Sequence, residues 1–423
     1  MSFDEALSYL LSLGHETLTI KLGLRNTETL LAALGNPHKE FPSVQIAGTN
    51  GKGSTAVTLD SICHAAGIRT GLFTSPHLIS ITERIKIAGE QVSETDFARF
   101  TAQVKECAEE LVEQGQLETL PTFFEHVTAI ALLAFREANV GLAILETGLG
   151  GRLDSTTAAG AEIVAITPIA KDHEEYLGHT LAEIAAEKAA IIRRGVTAIV
   201  APQKEDALEV ILGRCETVGV EPRHIEPARY ENISTGLRGR HQIVNVSTAI
   251  ALAEALCERG FTIRHEAIIR GVETVTHPGR LELWDSQPQI LFDGAHNPAA
   301  ALALRYYLEE FVKQPITMIF GAMRDKALSA MAATLFPKAD ELILTELDNP
   351  RAATGEILLS AVPADFDKAR VRVASSVTEA VQLARKVTPE AGLICVTGSL
   401  YLVGAIQQVL NEPSGVAHER LGH

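Results

Sequence analysis

The stretch Ile46-Ala47-Gly48-Thr49-Asn50-Gly51-Lys52-Gly53-Ser54-Thr55 follows a short apolar run and precedes a helix-forming segment. Its three glycines let the backbone come close to an anion, and Lys52 supplies a positive charge. Ser54 and Thr55 add hydroxyl groups at a helix N-terminus, where exposed N–H groups favour phosphate. The stretch therefore predicts a phosphate-binding loop between a strand and a helix. This loop, residues 48–54, is called the phosphate loop below, and its glycines and Lys52 make it a glycine-lysine loop.

This loop departs from the standard P-loop pattern, which has four residues between its first glycine and the Gly-Lys pair. Here two residues separate them, and Gly53 stands between Lys52 and Ser54. A glycine turn before a helix is the simpler alternative. A turn needs neither three glycines nor a lysine, so we expect the protein to use a nucleotide.

Composition limits the class of protein. The chain has 423 residues, of which 46% are hydrophobic and 21% are charged, so we expect roughly two to three compact domains. The formal net charge of −16 argues against nucleic acid or an anionic membrane as a partner. Anionic substrates would therefore have to be attracted locally, by bound Mg²⁺ and a few well-placed Lys or Arg side chains.

Cysteine usage and the N-terminus bear on location. The five cysteines are widely spaced and form no C-x-x-C pair, so neither a disulfide framework nor a zinc site is indicated. The first residues carry Asp4 and Glu5 in place of a basic leader, and no apolar run approaches the roughly 18 residues of a membrane span. We expect a soluble, cytoplasmic protein.

Apolar strands alternate with helical stretches along most of the chain, which predicts an α/β fold with mostly parallel sheets. Short helices are expected at Asp4 to Leu13 and Glu28 to Leu34. We expect a large nucleotide-binding domain (1–278), a linker (279–287) and a smaller Rossmann-like α/β domain (288–423). The predicted strands are Val44 to Ala47, Leu142 to Glu146, Glu162 to Thr167, Ala198 to Ala201, Gln289 to Phe292, Thr317 to Phe320, Glu341 to Thr345 and Leu393 to Thr397.

Ligands of open α/β sheets collect beyond the carboxyl ends of the strands, so the segments just after each strand are candidates for the site. Taken singly, Glu146 could be a solvated carboxylate, Asp293 a helix start and His173 a loop histidine. Taken together with the glycine-lysine loop, they favour a functional cluster. Four such segments are Thr74-Ser75-Pro76-His77-Leu78, Glu146-Thr147-Gly148-Leu149-Gly150-Gly151-Arg152-Leu153-Asp154, Thr167-Pro168-Ile169-Ala170-Lys171-Asp172-His173 and Asp293-Gly294-Ala295-His296-Asn297-Pro298.

The segment Leu181 to Ile192 reads as a helix with Ile184, Ile191 and Ile192 turned inward. By spacing alone, Lys188 belongs to its charged, solvent-facing side.

The ordered set of motifs resembles the folylpolyglutamate synthase/dihydrofolate synthase group of the Mur ligase superfamily. The resemblance runs from about Leu22 to Leu402. It is carried by the phosphate loop and the four segments above, and further by Glu187-Lys188-Ala189, His241-Gln242-Ile243-Val244-Asn245, Pro278-Gly279-Arg280-Leu281-Glu282 and Phe320-Gly321-Ala322-Met323-Arg324-Asp325-Lys326.

The resemblance implies an ATP-dependent ligase that joins a pteroate or folate carboxylate to the amine of L-glutamate through an acyl phosphate. The first domain would then be like the central domain of Mur ligases. Small molecules would be the partners, namely ATP, L-glutamate and dihydropteroate or reduced folates, and the protein is expected to be a monomer.

The same resemblance implies roles for individual residues. Two Mg²⁺ ions are expected, with Mn²⁺ as an alternative because imidazole is an unusual ligand for magnesium. Lys188 would carry a CO₂-derived carbamate, and Lys52, Lys188 and His296 would be catalytic. ATP would be bound by Gly48, Thr49, Asn50, Gly51, Lys52, Gly53, Ser54, Asn245, Arg280, Asp293 and His296, and the metal by Ser75, Glu146, His173 and Lys188.

For the pterin, the resemblance points to Leu22-Gly23-Leu24, to Thr122-Phe123-Phe124-Glu125 and to Asp154. An aromatic ring can stack on the bicycle while a carboxylate pairs with its amino-pyrimidine edge. The alternative for Phe123 and Phe124 is helix core. Asp154 resembles the bifunctional type, whereas Ala170 and Ala190 stand where the family pattern suggests glycine or a polar residue.

Three other classes of protein are alternatives to a bifunctional folate ligase. A monofunctional folylpolyglutamate synthase is the first, because dual activity is indicated by Asp154 alone. Another Mur-type ligase would share ATP, metal and carbamate, but only a short segment precedes Val44. A P-loop GTPase or regulatory ATPase should show Asn-Lys-x-Asp, and the nearest stretch, Pro337-Lys338-Ala339-Asp340, lacks the asparagine.

Overall fold

The computed structural model describes residues 1–14, 23–230 and 233–411. They form two compact units, Met1–His277 and a second unit that begins at Pro278. Each unit is built around its own sheet. Leu22, one of the residues expected near the pterin, lies outside the described part.

The first unit alternates strands and helices in chain order. Its elements are α1 (Phe3–Ser12), α2 (Arg25–Ala33), β1 (Ser43–Ala47), α3 (Lys52–Ala65), β2 (Thr70–Phe73), β3 (Ile85–Ile87), β4 (Glu90–Gln91), α4 (Glu94–Glu113), α5 (Phe123–Glu137), β5 (Leu142–Glu146), β6 (Ile163–Ile166), α6 (Glu174–Leu177), α7 (Leu181–Ala189), β7 (Thr197–Val200), α8 (Glu205–Val218), β8 (Arg223–His224), α9 (Gln242–Glu258) and α10 (His265–Thr274).

The sheet of the first unit has the order β4-β3-β2-β5-β1-β6-β7-β8. Strand β1 lies inside it and pairs in parallel with β5 and β6, while β3 and β4 are antiparallel. All five residues of β1 and of β5 are buried, as expected when helices cover both faces. The carboxyl ends of β1, β2, β5 and β6 consequently meet at one edge of the sheet.

Helices close the core on both faces of this sheet. On one face, Leu59 of α3 and Ile250 of α9 pack with Val44. On the other, Ile184 of α7 packs with Val164, together with Ile191. Because the helices are anchored by these apolar contacts, their N-termini are held at the edge where the strands end.

The second unit contains β9 (Glu282–Trp284), β10 (Gln289–Asp293), α11 (Pro298–Phe311), β11 (Ile316–Phe320), α12 (Leu328–Leu335), β12 (Glu341–Thr345), α13 (Gly355–Ser360), β13 (Val371–Ala374), α14 (Val377–Val387), β14 (Leu393–Thr397) and α15 (Leu400–Asn411). Its sheet has the order β13-β12-β11-β14-β10-β9. All pairs are parallel except β9 with β10. The α/β prediction, with two mostly parallel sheets, is confirmed.

Most predicted strands lie within one residue of their observed limits, and three of them, β5, β12 and β14, match at both ends. Helix α7 ends at Ala189, three residues before the predicted end, although Ile191 and Ile192 are fully buried. The segment expected to be a linker, 279–287, contains β9. Three of its residues pair with β10, so the backbone there forms an edge of the second sheet.

Candidate active site

The segment between β1 and α3 is shaped by its contacts with the loop after β6. The φ angle of Gly48 is 151°, and a Cβ at this position would lie 1.9 Å from Thr167 Oγ1. The amides of Thr49 and Asn50 both donate to Pro168 O at 3.1 Å. Glycine is therefore required at position 48, and the loop after β6 fixes the path of the backbone.

The far end of the loop rests against α9. Gly51 has a φ of 90°, and a Cβ there would lie 2.0 Å from Asn245 Oδ1. Asn245 is buried, and its Nδ2 donates to Gln242 Oε1 at 2.7 Å. Helix α3 begins at the next residue, Lys52. The backbone N–H groups of its first turn have no partner within the helix, and they directly follow the loop. The structure thus places Asn245 against the phosphate loop.

Lys188 places a buried amine at the same edge of the sheet. Its side chain extends from α7 and is 4% exposed, and its Nζ donates to Gly48 O at 2.9 Å. Burial, and secondarily the charge of Lys52, lowers the pKa of Lys188 from 10.5 to about 7. The solvent-facing position suggested by helical spacing is therefore wrong, because α7 packs this face against the loop.

Glu146 ends β5 as a buried carboxylate. Its Oε2 accepts a hydrogen bond from the amide of Ser75 at 3.1 Å. The same oxygen would lie 3.4 Å from a Cβ at Gly53, in the first turn of α3. Two of the predicted metal ligands, Ser75 and Glu146, are therefore adjacent beside the phosphate loop.

His173 lies after β6 in a left-handed conformation, with φ 51° and ψ 39°. Its amide donates to Oδ1 of the neighbouring Asp172 at 2.9 Å. Asp172 is itself close enough to Lys188 to favour the protonated amine there. His173 thus belongs to the same edge of the sheet.

Within the described residues, no group of three or more His, Cys, Asp or Glu side chains forms a metal cage. Mg²⁺ commonly binds through one or two carboxylates together with phosphate oxygens and water. The buried carboxylate of Glu146 beside Ser75 fits such a metal, for which a bound phosphate and water would supply the remaining oxygens.

The predicted pterin residues lie at the start of α5. Thr122 caps this helix, accepting from the amide of Glu125 at 3.3 Å, and Phe123 is buried in the core. Phe124 is only partly buried, and its ring lies under the loop after β5, since a Cβ at Gly148 would be 2.5 Å from its Cζ. Phe123 is therefore a core residue, as the alternative for it had it. Phe124 is the ring that lies against the loop after β5.

Asp154 is buried, and both of its oxygens are bonded within its own loop. Oδ2 accepts from the amide of Leu149 at 2.9 Å, and Oδ1 accepts from the amide and hydroxyl of Thr156 at 3.0 and 2.5 Å. Burial raises the pKa of this carboxyl. Asp154 therefore shapes the loop after β5. Gly23 and Leu24 lie directly before α2.

In the second unit, the predicted ATP residues gather at the end of β10. Asp293 is buried and accepts from the amides of Leu281 and Ala295 at 2.9 and 3.0 Å. Burial raises its pKa, and the charge of Arg280 opposes that shift. Arg280 Nη1 lies 3.4 Å from Gly294 O, and His296 Nδ1 lies 2.8 Å from the same oxygen.

Comparison with known proteins follows the same division of the chain. The Mur ligase middle domain matches residues 46–212, and the Mur ligase, glutamate ligase domain matches residues 279–400. The chain is 33% identical to the dihydrofolate synthase/folylpolyglutamate synthase of Bacillus subtilis, over 94% of this chain and 97% of that protein. The chain belongs to the folylpolyglutamate synthase/dihydrofolate synthase family of Mur ligases.

Other members of this family extend the comparison. A probable bifunctional folylpolyglutamate synthase/dihydropteroate synthase of Halobacterium salinarum is 37% identical over 95% of this chain, which spans 51% of that longer protein. A Yersinia pestis folylpolyglutamate synthase/dihydrofolate synthase, solved with AMPPNP and an Mn ion, superposes with a TM-score of 0.83 at 30% identity, covering 97% of this chain and 98% of that one.

None of the helices in the described residues combines the length and the apolar character that a membrane span requires.

Several residues at this edge of the sheet have no clear signal in the sequence. Thr167 and Pro168 belong to the loop after β6 and hold the phosphate loop in place. His277 lies with its Nδ1 3.1 Å from Ser54 Oγ, across a separation of 223 positions. Spacing along the chain carries no signal for such a contact, because it depends on how α10 returns to α3.

Proposed function

We propose that the protein ligates L-glutamate to the carboxylate of dihydropteroate and of reduced folyl(poly)glutamates, converting ATP to ADP and phosphate. One observation carries the proposal. A single sheet edge holds the glycine-lysine loop, the buried carboxylate of Glu146 and the buried amine of Lys188. The family membership supplies the substrate class.

In the proposed reaction, a carboxylate oxygen of the pterin substrate attacks the γ-phosphorus of ATP in line. The bond between this phosphorus and the β-bridging oxygen breaks, which releases ADP and leaves an acyl phosphate. The neutral amine of glutamate then attacks the acyl carbon, loses a proton, and displaces phosphate through a tetrahedral intermediate. Catalysis of such steps depends mainly on positioning and on neutralising charge.

The loop from Gly48 to Ser54 would hold the β- and γ-phosphates. The amides of Thr49 and Asn50 already donate to Pro168 O, so the loop's anion-binding donors are expected from the first turn of α3. Lys52, the first residue of that helix, would add a positive charge at the phosphates. Asn245 supports the loop from α9.

Ser75, Glu146 and His173 would hold the divalent metal together with the phosphates. When bound, the metal would neutralise phosphate charge in the transfer step. The manganese ion and AMPPNP in the Yersinia pestis relative support a divalent metal with a nucleotide. The buried carboxylate of Glu146 provides the hard oxygen ligand that such an ion prefers.

We further propose that Lys188 is carbamylated. Carbamate formation joins the nitrogen of a neutral amine to CO₂ and releases a proton. Burial lowers the pKa of Lys188 to about 7, so a large part of this amine is neutral at physiological pH. The product is an oxygen ligand in place of a buried cation, beside Gly48 and the phosphate loop.

For the pterin, the ring of Phe124 is the proposed stacking surface, with Thr122 at the start of the same helix. Asp154 would act by shaping the loop that covers Phe124, because its oxygens are bonded to Leu149 and Thr156. Gly23 and Leu24 would line the other side of the substrate. Dual activity rests on one pocket accepting both dihydropteroate and reduced folate.

The proposal is tested by mass analysis of products after incubation with ATP, Mg²⁺ and L-glutamate. Dihydropteroate should yield dihydrofolate, and tetrahydrofolate should yield forms extended by glutamate. Product from tetrahydrofolate alone would indicate a monofunctional folylpolyglutamate synthase. Product from neither substrate would contradict the proposal.

A further inference from the structure

His277 contacts α3, the helix that follows the phosphate loop. It belongs to none of the family motifs quoted above. It is the last residue of the first unit and immediately precedes Pro278. Its Nδ1 lies 3.1 Å from Ser54 Oγ in the first turn of α3. Ser54 is 5% exposed, so this hydroxyl is held in a protein environment at the very position where the loop would receive phosphate.

The same imidazole explains the glycine that interrupts the P-loop pattern. A Cβ at Gly53 would lie 3.0 Å from His277 Cε1, 3.3 Å from its Nε2, and 3.4 Å from Glu146 Oε2. A side chain at position 53 would therefore crowd the imidazole and touch the carboxylate. Gly53 leaves the space that His277 occupies.

The hydrogen bond to Ser54 has two possible directions, which differ in their effect on an anion. If Nδ1 carries the proton, it donates to Ser54 Oγ, and the hydroxyl proton is left to point at a phosphate oxygen. If Nδ1 is bare, the hydroxyl donates to the imidazole and presents lone pairs to the phosphate. A bound anion thus favours the Nδ1-protonated form, in which successive donors reinforce one another.

We propose that His277 is a positioning residue that orients the Ser54 hydroxyl toward the nucleotide phosphates. This inference rests on the proposed function, because it assumes that the loop binds ATP. His277 acts through Ser54, and glycine at position 53 leaves room for the imidazole. Loss of the imidazole should therefore weaken nucleotide binding and leave the binding of the pterin substrate unchanged.

The test compares wild-type protein with His277→Ala, His277→Asn and a control, His265→Ala. His265 is an exposed histidine at the start of α10 in the same unit. Binding of AMPPNP with Mg²⁺ and of dihydropteroate is measured by calorimetry, and KM for ATP and kcat by product formation. Thermal unfolding of each variant is recorded as well.

His277→Ala should raise the Kd of AMPPNP and the KM for ATP about tenfold, the loss typical of one hydrogen bond near a charged group. It should change kcat by less than about threefold and leave the Kd of dihydropteroate unaltered. His277→Asn, which can place a polar atom near the site of Nδ1, should recover most of the affinity. His265→Ala should behave as wild type.

An unchanged Kd of AMPPNP in His277→Ala would overturn the inference. So would an equal loss for AMPPNP and dihydropteroate, or a His277→Asn variant as weak as His277→Ala. If wild-type protein itself fails to bind AMPPNP, the proposed function fails, and that outcome is distinct from any difference between the variants.

Discussion

The Nζ of Lys188 donates a hydrogen bond to the carbonyl oxygen of Gly48, 2.9 Å away and 140 positions apart in the chain. A buried lysine is thereby fixed against the phosphate loop itself. Since burial is the largest cause of its lowered pKa, the protein holds a partly neutral amine beside the loop.

Replacing Lys188 with arginine should lower kcat about 100-fold, the order seen when one preorganised charge-stabilising group is lost. Arginine keeps a positive charge but cannot form the carbamate. With ¹³C-labelled bicarbonate, NMR should show a carbamate signal in wild-type protein and none in Lys188→Arg. Fully active wild-type protein without that signal would contradict carbamylation.

Gly51→Ala should abolish measurable nucleotide binding. Its Cβ would lie 2.0 Å from Asn245 Oδ1, and the φ of 90° is unfavourable for alanine. Gly67→Ala is the matched control, because Gly67 follows the other end of α3 with a φ of 78° and nothing within 4 Å of the added Cβ. The control should lose about 1 kcal/mol of stability and retain AMPPNP affinity in calorimetry. Equal AMPPNP affinities of the two variants would show that nucleotide binding does not need glycine at position 51.

His126 should make the protein sensitive to mild acid. Its Nδ1 lies 3.1 Å from Thr122 O, which can only accept, so its Nε2 accepts from the Tyr9 hydroxyl at 3.0 Å. Burial lowers the pKa of this imidazole from 6.5 to about 4. The folded-state pKa is the lower one, so the associated stability is complete above pH 6.5 and is lost as the pH falls toward 4.

This loss amounts to about 3 kcal/mol over that range. Urea unfolding at pH 7 and pH 5 measures about 2 kcal/mol of this loss, because pH 5 is still above the folded-state pKa. His126→Gln is the comparison, because glutamine does not titrate and can still donate and accept. The variant should show a smaller difference between the two pH values. The same difference in both proteins would assign the acid sensitivity to other groups.

Arg280→Ala should reduce turnover more than stability. The guanidinium is partly buried, lies 3.4 Å from Gly294 O and, by its charge, opposes the rise that burial causes in the pKa of Asp293. Loss of these weak interactions should shift the unfolding free energy by roughly 1 kcal/mol. Loss of the charge of a predicted ATP-binding residue should lower kcat about 100-fold. Steady-state kinetics and thermal unfolding separate the two effects. A large fall in melting temperature with ATP binding intact would make Arg280 a structural residue.

Much of the fold could be read from the sequence because its signals are local. Continuous apolar runs predict the buried strands. Local chemistry also explains helix ends, since the Ser93 side chain caps α4, and Gly35 and Gly67 follow helices with positive φ values. The strand β9 within 279–287 has no local signal in the sequence, because it is short and its antiparallel pairing with β10 depends on the neighbouring strand.

The site was predictable in part. The glycine loop and Glu146 stand at strand ends, where topology alone gathers ligands. The burial of Lys188 was hidden because helical spacing fixes which residues share a face, but not what packs on that face. The contact of His277 with Ser54 and the bonding of Asp154 within its own loop depend on tertiary structure, which no local pattern encodes.

Phosphate release during turnover distinguishes a folate-directed glutamate ligase from an ATPase that needs neither glutamate nor a pterin. Purified protein is supplied with ATP and Mg²⁺, and phosphate is followed with and without L-glutamate, and with and without dihydropteroate or a reduced folate. Sustained phosphate release is expected only when glutamate and a pterin substrate are both present. Equal rates of release when either one is omitted would contradict the assignment of this chain as a folate-directed glutamate ligase.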